Sequence, residues 1–366
     1  MAVSPDVVAT ALNELMPSYS ELFVKYHPLL EKVLAGGNMD RATLKGPKRD
    51  FAVVTAGPGT VTEIATGSEV IAGGRSQNAH RGQVIAPRLI YAFDVPGKDL
   101  AEANGEMDLA RILQHYPELA LDDFHDRISK QLGTGNGPGV GGFMTLNGTT
   151  AAASFTPQGE TRRGILQAVA PASQAQPIHN LAQSSVSGWS NQYEDITDVE
   201  LNGRSQLRKA YYAASRQGKT MGPVDLMLGD EASYLNYIDD LDDMVRVAKI
   251  EGDKAPSNVR QGIKFLDADF FLDDSIDTAA VDSAAANYFS AAAQDGIIYG
   301  LKTPTWHQFT LGHDASKETK GDFAVRGPFR IPDQDVWRYE LVLMMGMHTT
   351  QLRANFVVTG MGTASS

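Results

Sequence analysis

Apolar residues recur every three or four positions from about residue 4 to residue 34, with a break at Pro17. This spacing predicts an amphipathic helical arm, which Ser4 is placed to cap and which the pair Gly36 and Gly37 ends. The apolar stripe of such an arm must lie on another surface. That surface belongs either to the same chain or to a neighbouring subunit.

The segment from Phe51 to Val95 alternates differently and is rich in Val, Ile, Thr and aromatic residues. Two extended stretches flank the polar run Gly74–Gly82, which predicts a long two-stranded hairpin with that run at its tip. An isolated hairpin is only marginally stable in water, so a projecting one has to pack on another chain. The alternative is a hairpin folded into a sheet of its own domain.

Helical spacing returns from Asp99 to Leu132, with an interruption at Pro117, and again from Asn202 to Gly218. A short apolar run at Val224–Leu228 predicts a buried strand, and Asp230 is placed to cap the helix that follows it.

Three further stretches read as paired strands: Gly262–Ile276, Asp295–Gly312 and Tyr339–Met361, the last with a turn near His348–Gln351. Helices and sheets are segregated and do not alternate regularly. The sequence therefore predicts an α+β fold.

The amino-acid composition excludes several classes of chemistry and of binding. The 366 residues include no cysteine, which excludes disulfides, thiolate catalysis and cysteine metal sites. A net charge of -12 disfavours sequence-specific DNA binding, although an acidic wall would keep packed DNA from adhering to it. No run of 18 apolar residues predicts a membrane helix, and the N-terminus does not resemble a secretory signal.

The glycines at 137, 139 and 142 form a G-x-G-x-x-G pattern within Gly135–Gly148. A dinucleotide loop needs a strand before it and a helix N-terminus after it, because the helix end binds the pyrophosphate. Here a predicted helix precedes the loop and an extended segment follows it. The pattern therefore favours a mobile corner over a nucleotide site.

Other chemical constellations are weak. No histidine pair has metal-ligand spacing, the aspartates of 239–243 and 267–274 match no calcium loop, and no serine lies in a G-x-S-x-G elbow. We therefore predict no catalytic residue, no cofactor and no metal, and expect the acidic clusters to be solvated faces. The same applies to the cations Arg204, Arg208 and Lys209, which we expect to face water. The tip residues Arg75, His80 and Arg81 are either solvated or paired with acids of a neighbour. We expect the eight histidines to be ordinary structural or surface residues; they are at positions 27, 80, 115, 125, 179, 307, 313 and 348.

The order of these parts resembles a known family. An arm, a glycine-tipped hairpin, a long helix and a glycine-rich loop leading to "GGFMTLNG" are followed by "GPVDLMLGDEASYLNYI", "GIKFLDADFFLDDSI", "DGIIYGL" and "WRYELVLMMGMHTTQLRANFVVTGM". This order is similar to that of tailed-bacteriophage major capsid proteins with the Hong Kong phage capsid fold. It covers about residues 4 to 361 and rests on element order, without a single diagnostic motif.

The resemblance implies four parts. These are an N-terminal arm at 1–48, an extended loop at 49–97, a peripheral domain with a spine helix at 98–145 and 320–366, and an axial domain at 146–319. It also implies hexamers and pentamers that close into an icosahedral shell around double-stranded DNA, a virion location and assembly in the host cytoplasm.

Some members of this family join subunits through a lysine–asparagine isopeptide bond with the lysine on the extended loop. No lysine occurs between Phe51 and Gly97, so we expect no such crosslink, and stability must come from non-covalent straps or a cementing protein. The arm begins almost at residue 4, so either a separate scaffolding protein guides assembly or a leader has been cut off, and the initial Met1 favours the scaffolding protein. A portal is a further expected partner. Two alternatives stay open: an encapsulin-type nanocompartment, and a soluble α+β enzyme that uses the loop Gly135–Gly142.

Overall fold

The computed structural model describes about half of the chain, including most of its C-terminal third. The strands, in chain order, are β1 (Met39–Asp40), β2 (Lys48–Val54), β3 (Ala79–Ile85), β4 (Arg88–Pro96), β5 (Asn136–Gly137), β6 (Val140–Gly141), β7 (Met144–Leu146), β8 (Thr161–Arg163), β9 (Pro177–Ile178), β10 (Leu181–Ala182), β11 (Gln192–Asp195), β12 (Leu226–Gly229), β13 (Ile263–Phe265), β14 (Ala268–Leu272), β15 (Ile297–Leu301), β16 (Trp306–Thr310), β17 (Phe323–Arg330), β18 (Val336–Thr349) and β19 (Phe356–Thr359). The helices are α1 (Pro28–Ala35), α2 (Arg204–Gln217) and α3 (Glu231–Asp242). The described residues are 27–40, 48–55, 79–85, 88–98, 119, 123–124, 128, 136–137, 140–141, 144–146, 161–163, 177–179, 181–182, 186, 188–196, 202–217, 222–242, 263–273, 276, 296–310, 323–332 and 334–361.

A six-stranded mixed sheet has the order β11-β19-β15-β12-β14-β13. Strands β11 and β19 are parallel, as are β12 and β14, and the other neighbours are antiparallel. Every residue of β12, β15 and β19 is buried, so these strands read as continuous apolar runs without alternation. The predicted strand at 224–228 and the predicted strand pair at 262–276 are both confirmed.

Helices α2 and α3 cover one face of this sheet. Their apolar sides share a core with Met227, Phe270 and Phe356, and the opposite face of the sheet belongs to a second core that α1 joins. Both helices occur where the apolar spacing predicted them. The carboxylate of Asp230, expected to cap α3, accepts a hydrogen bond from the backbone N–H of Ile297 at 2.9 Å.

A five-stranded sheet is built around the long strand β18. Strand β17 pairs with it on one edge and β4 pairs with the same residues on the other, while β16 pairs with its last residues and β1 adds to β16 in parallel. The buried side chains Tyr339, Leu341 and Leu343 mark the core face of β18. Phe124 and Ile128, which lie in the predicted spine-helix segment and are helical, belong to the same core.

The hairpin is present, but its predicted tip is wrong. Strands β2 and β3 pair from Lys48 with Ile85 to Val54 with Ala79, so residues 79–82 of the predicted tip lie within a strand. Ala79 and Arg81 are exposed and Gly82 is buried, which is the alternation of a strand with one solvated face. The polar residues of that face were therefore mistaken for a turn.

Two predicted strand pairs and one predicted strand are divided between sheets. The second hairpin stretch divides into β3, which ends at Ile85, and β4, which begins at Arg88 and pairs with β18. Strands β15 and β16 lie in different sheets, and so do β18 and β19. Short 3-10 turns at Thr303–Thr305 and Leu352–Ala354 redirect the chain between them. Strands β4, β16 and β19 therefore each pair in a different sheet from the strand that precedes them in the same predicted segment.

The glycine-rich loop contains a small antiparallel pairing of β5 with β6. Helical residues precede it at 119, 123–124 and 128, and strand β7 follows it. This agrees with the predicted order of helix, loop and extended segment, which is the reverse of a dinucleotide fingerprint.

Gly139 and Gly142 lie outside the described residues, as do residues 4–26 of the predicted arm. Within the part of the chain that the structure describes, no helix is long and apolar enough to span a membrane.

Gly360 and Gly222 offer a matched pair of substitutions. Both have positive φ, +82° and +84°, but a Cβ at Gly360 would collide with the backbone carbonyl of Ile196, whereas a Cβ at Gly222 meets nothing within 4 Å. We expect Gly222→Ala to cost about 1 kcal/mol of unfolding free energy, from backbone strain alone. Gly360→Ala should cost about 3 kcal/mol, because β11 must also move. Urea unfolding of both variants measures the difference, and equal costs would contradict the packing of β11 against this turn.

Candidate functional site: the junctions of arm and hairpin

Helix α1 is anchored on its own chain. Leu29, Leu30 and Val33 are fully buried in the core shared with β12 and β15, and β1 extends the same segment by pairing with β16. The sequence left open whether the arm packs on its own chain or on a neighbouring subunit. For residues 27–40, the structure shows packing on the same chain.

His27 begins this helix and connects it to β14. Its Nδ1 accepts the backbone N–H of Leu29 at 3.3 Å, as an N-cap side chain does, and its Nε2 lies 3.2 Å from Oδ2 of Asp273. Both side chains are buried. The cap and the carboxylate contact fix the point at which the arm enters the core.

Lys32 holds the other side of α1. Its Nζ donates to the backbone carbonyl of Asp225 at 2.6 Å and to Oδ2 of Asp269 at 2.8 Å. The sequence predicted that the aspartates of 267–274 form a solvated face. That prediction is wrong for Asp269 and Asp273, because sequence proximity to other acids does not show that α1 packs over them, with Lys32 237 positions before Asp269.

Asp225 organises the end of β12. Its Oδ1 accepts the backbone N–H of Thr303 at 2.8 Å, and its Oδ2 accepts the hydroxyl of the same threonine. The neighbouring Lys302 is buried and donates from Nζ to the carbonyl of Gly222. Burial lowers the pKa of Lys302, and the charge of Asp225 opposes that shift. These groups bind one another and the backbone, so they serve to join strands.

Asn355 links the two large sheets. Its Oδ1 accepts the backbone N–H of Lys302 at 2.9 Å and the indole Nε1–H of Trp306 at 3.0 Å, while its Nδ2 donates to the carbonyls of Gln351 and Leu352 at 3.1 and 3.3 Å. Lys302 follows β15 of the six-stranded sheet, and Trp306 starts β16 of the five-stranded sheet. One fully buried amide thus fixes both crossovers.

The base of the hairpin rests on histidines. The ring of Phe51 in β2 lies 4.2 Å from that of His348 and 5.3 Å from that of His179, and it covers Gly82, where there is no room for a Cβ. His307 stacks on His348 at 5.3 Å. Gln83 of β3 donates its backbone N–H to the carbonyl of His179 at 3.0 Å. The hairpin is therefore fastened to β18 through aromatic packing, and to His179, which follows β9, through a backbone hydrogen bond.

His179 is the most unusual member of this cluster. It is fully buried with a left-handed φ of +54°, and its Nε2 accepts the backbone N–H of Thr349 at 3.3 Å. A ring that accepts at Nε2 is neutral and carries its proton on Nδ1. Burial lowers the pKa of His179 to about 3.

Ion pairs also link β4 to β18 and β2 to β3. Arg338 of β18 grips Asp94 of β4 in a bidentate pair at 2.7 and 2.8 Å, and this hydrogen bonding lowers the pKa of Asp94. Arg81 pairs with Asp50 across the hairpin. One predicted tip residue is thus paired with an acid of its own hairpin, and Arg75 lies outside the described residues.

The remaining predicted groups fall as follows. Among the residues with described positions, no three acids or histidines approach closely enough to hold a metal ion. His80 lies in β3 and is half-buried, and Arg208 on α2 is exposed, as expected. Lys209 is engaged by Glu194 of β11 at 2.8 Å, which the sequence did not predict. The histidines at 115, 125 and 313 lie outside the described part.

No protein family profile matches the sequence, and no curated protein is significantly similar to it. Solved structures do match. The capsid subunit of cyanophage A-1(L) superposes with a TM-score of 0.56 at 10% identity, covering 91% of this chain and 93% of that chain. The chain of the holo-SrpI encapsulin complex from Synechococcus elongatus PCC 7942 gives a TM-score of 0.53 at 9% identity, covering 91% and 90%.

These likenesses extend over nearly the full length of both chains. They establish that this chain has the Hong Kong phage capsid fold, an α+β fold shared by capsid subunits and encapsulins. The fold predicted from the order of sequence elements is confirmed. At 9 and 10% identity the likeness is one of fold.

Proposed function

We propose that this chain is a phage major capsid protein, which assembles into hexamers and pentamers of an icosahedral shell enclosing double-stranded DNA. The observation that carries the proposal is the end-to-end match with the cyanophage A-1(L) capsid subunit, at a TM-score of 0.56. The four predicted parts keep their proposed roles, except that β19 is counted with the axial sheet and β4 and β16 with the peripheral sheet, because they pair there.

Surfaces that suit subunit contacts support this proposal. Within the described residues, β2 and β3 pair only with each other. His179 engages the outer edge of β3 at Gln83, whereas β2 leaves an open edge, and Val54 at the end of β2 is 57% exposed. Ile90 and Phe329 are also exposed, and both lie opposite residues of β18 that alternate away from the core face. Apolar groups on an open strand edge and an outer sheet face are suited to burial against other copies.

Imaging of the purified full-length chain tests the proposal. We expect size-exclusion chromatography and negative-stain microscopy to show closed particles of megadalton size. A discrete monomer or dimer under conditions that preserve folding would overturn the proposal. Saturable nucleotide binding by such a monomer would instead favour the soluble-enzyme alternative.

An encapsulin-type compartment is the second candidate, favoured by the similarity to the SrpI chain. The two candidates differ in content. After nuclease treatment, particles from phage-infected cells should retain protected double-stranded DNA if the chain is a capsid protein, whereas an encapsulin would retain a protein cargo. For the capsid candidate we propose a scaffolding protein, a portal and a cementing protein as partners, with assembly in the host cytoplasm and residence in the virion.

The proposed shell is non-covalent. The stretch from Phe51 to Gly97 has no lysine to form an isopeptide bond, so boiled particles should give one denatured band at 39.4 kDa. A ladder of higher-mass bands that survives denaturant would show a crosslink that uses a lysine elsewhere. Strong resistance of the native particles to dilution, with a single denatured band, is the expected combination.

A further inference from the structure

Helix α2 is positively charged, although the whole chain has a net charge of -12. It contains three arginines and one lysine and no acidic residue. Its apolar side packs into the core through residues that include Leu207 and Tyr211, so the cations occupy the remaining surface. Such a concentration of one charge on a helix face is suited to an acidic partner.

Arg208, Tyr212 and Arg216 form a row on that surface, which we term the cationic row. They are four residues apart, or about 6 Å along the helix axis. All three are exposed, with half of Tyr212 accessible. Within the described chain, neither arginine makes a hydrogen bond or an ion pair, whereas the nearby Lys209 is already paired with Glu194.

Helix α3 has the opposite character. It contains one glutamate and three aspartates and no basic residue. Glu231, Leu235 and position 239 follow one another at the same four-residue spacing, and we term them the acidic row. Glu231 and Leu235 are exposed, with half of Leu235 accessible. Each row therefore has an apolar residue at its centre and charged residues of one sign on either side.

The two helices occupy different parts of one sheet face. Helix α2 packs against β11 and β19, and α3 packs against β14 nearer the other edge. Among the described residues, Tyr211 of α2 and Tyr237 of α3 both contact the ring of Phe265, with ring centroids 5.7 and 5.9 Å apart. Asn236 of α3 donates to the carbonyl of Met361, which follows β19. Glu231 and Leu235 stand about 140° and about 100° around the helix axis from Asn236, and both are exposed.

We propose that the cationic row of α2 in one copy docks on the acidic row of α3 in the next copy. This inference rests on the proposed shell function and names the surface that joins neighbours within a ring. Two different patches of one chain make a heterologous contact, and such contacts close into rings when the rotation between copies allows it. The matched spacing brings arginines to carboxylates and covers Tyr212 with Leu235.

A second copy fits the cationic row better than nucleic acid does. A duplex backbone would neutralise the arginines and accept the Tyr212 hydroxyl, but it supplies no apolar side chain to pack on the exposed ring. The net charge of -12 also repels a polyanion at longer range. The partner row supplies both the charges and an apolar contact.

Charge reversal tests the contact. In the full chain, Arg208→Glu with Arg216→Glu, or Glu231→Lys with Asp239→Lys, should reduce the assembled fraction about tenfold or more. Joining all four changes in one chain should restore particles, because the attraction is kept with its sign exchanged. Gln217→Glu adds an acid to α2 outside the row and should assemble like the unchanged chain. Helical circular dichroism confirms that each variant is folded.

Mixing the two defective chains gives a sharper result. Each chain then has two rows of one sign, so the mixture should restore hexamers with alternating chains, whereas a pentamer cannot alternate and should stay absent. Failure of both the four-fold variant and the mixture to assemble would overturn the inference. Unaltered assembly of the arginine variant with reduced DNA content would overturn it too, and would assign the cationic row to nucleic acid. If the unchanged chain forms no particle, the proposed function itself fails.

Discussion

Acidification from pH 7 to pH 5 is expected to cost the folded chain about 2 kcal/mol through His179 alone. The unfolded histidine takes up a proton below its ordinary pKa of 6.5, whereas burial lowers the pKa of His179 in the fold to about 3. The unfolded state therefore binds more protons throughout this window, so stability falls with pH from about 6.5 to about 3. Each pH unit within the window costs about 1.4 kcal/mol.

The physical reason lies beneath the hairpin. A proton on Nε2 would break the bond from Thr349 and place a charge beside Phe51 and His348, with no described acid to receive it. Because Gln83 bonds the carbonyl of the same residue, the hairpin base should loosen first.

His179→Asn provides the control for this prediction. Asparagine does not titrate and tolerates a positive φ better than most residues. We expect the variant to be less stable at pH 7 but to lose about 2 kcal/mol less than the unchanged chain between pH 7 and pH 5. Urea unfolding at several pH values measures this, and hydrogen exchange locates the loosening. Parallel pH curves for the two proteins would show that His179 is not the buried base described above.

Replacing Asn355 with leucine is the second large effect, at about 3–5 kcal/mol of unfolding free energy. The substitution removes a buried amide that has four hydrogen bonds, and it leaves the N–H groups of Lys302 and Trp306 without their acceptor. A buried donor without a partner keeps its full desolvation cost. Because these donors lie in the chain connections between the two large sheets, we expect the packing of both sheets to be destabilised in a single transition.

Asn191 is a matched control for Asn355. It is also buried, but its only hydrogen bond in the described structure is from Nδ2 to the carbonyl of Gln192 at 3.3 Å, and its Oδ1 has no partner. Asn191→Leu should therefore cost about 1 kcal/mol or less. Thermal unfolding followed by tryptophan fluorescence compares the two, since Trp306 reports the Asn355 site. Similar losses for both variants would contradict the role assigned to Asn355.

Much of the junction chemistry was not predictable from the sequence. His27, Lys32 and Asp269 are ordinary polar residues in sequence, and 237 positions separate the last two. Nothing in local spacing shows that a lysine of the arm will meet an aspartate of a strand. The cationic residues of α2 were visible in sequence, but the opposite charge of the exposed α3 residues that we propose as their partner in the next copy was recognised only in the structure.

Local periodicity determined where most described helices and strands form. Alternation and helical spacing depend on which side chains each element must bury, and that information is local, so α2, β12, the β13–β14 pair and the order that signals the capsid fold were readable. Strand partners were decided by the tertiary structure. The short turns at Thr303–Thr305 and Leu352–Ala354 send adjoining strands into different sheets, and a strand's own residues specify a buried face without specifying the neighbour that covers its edge.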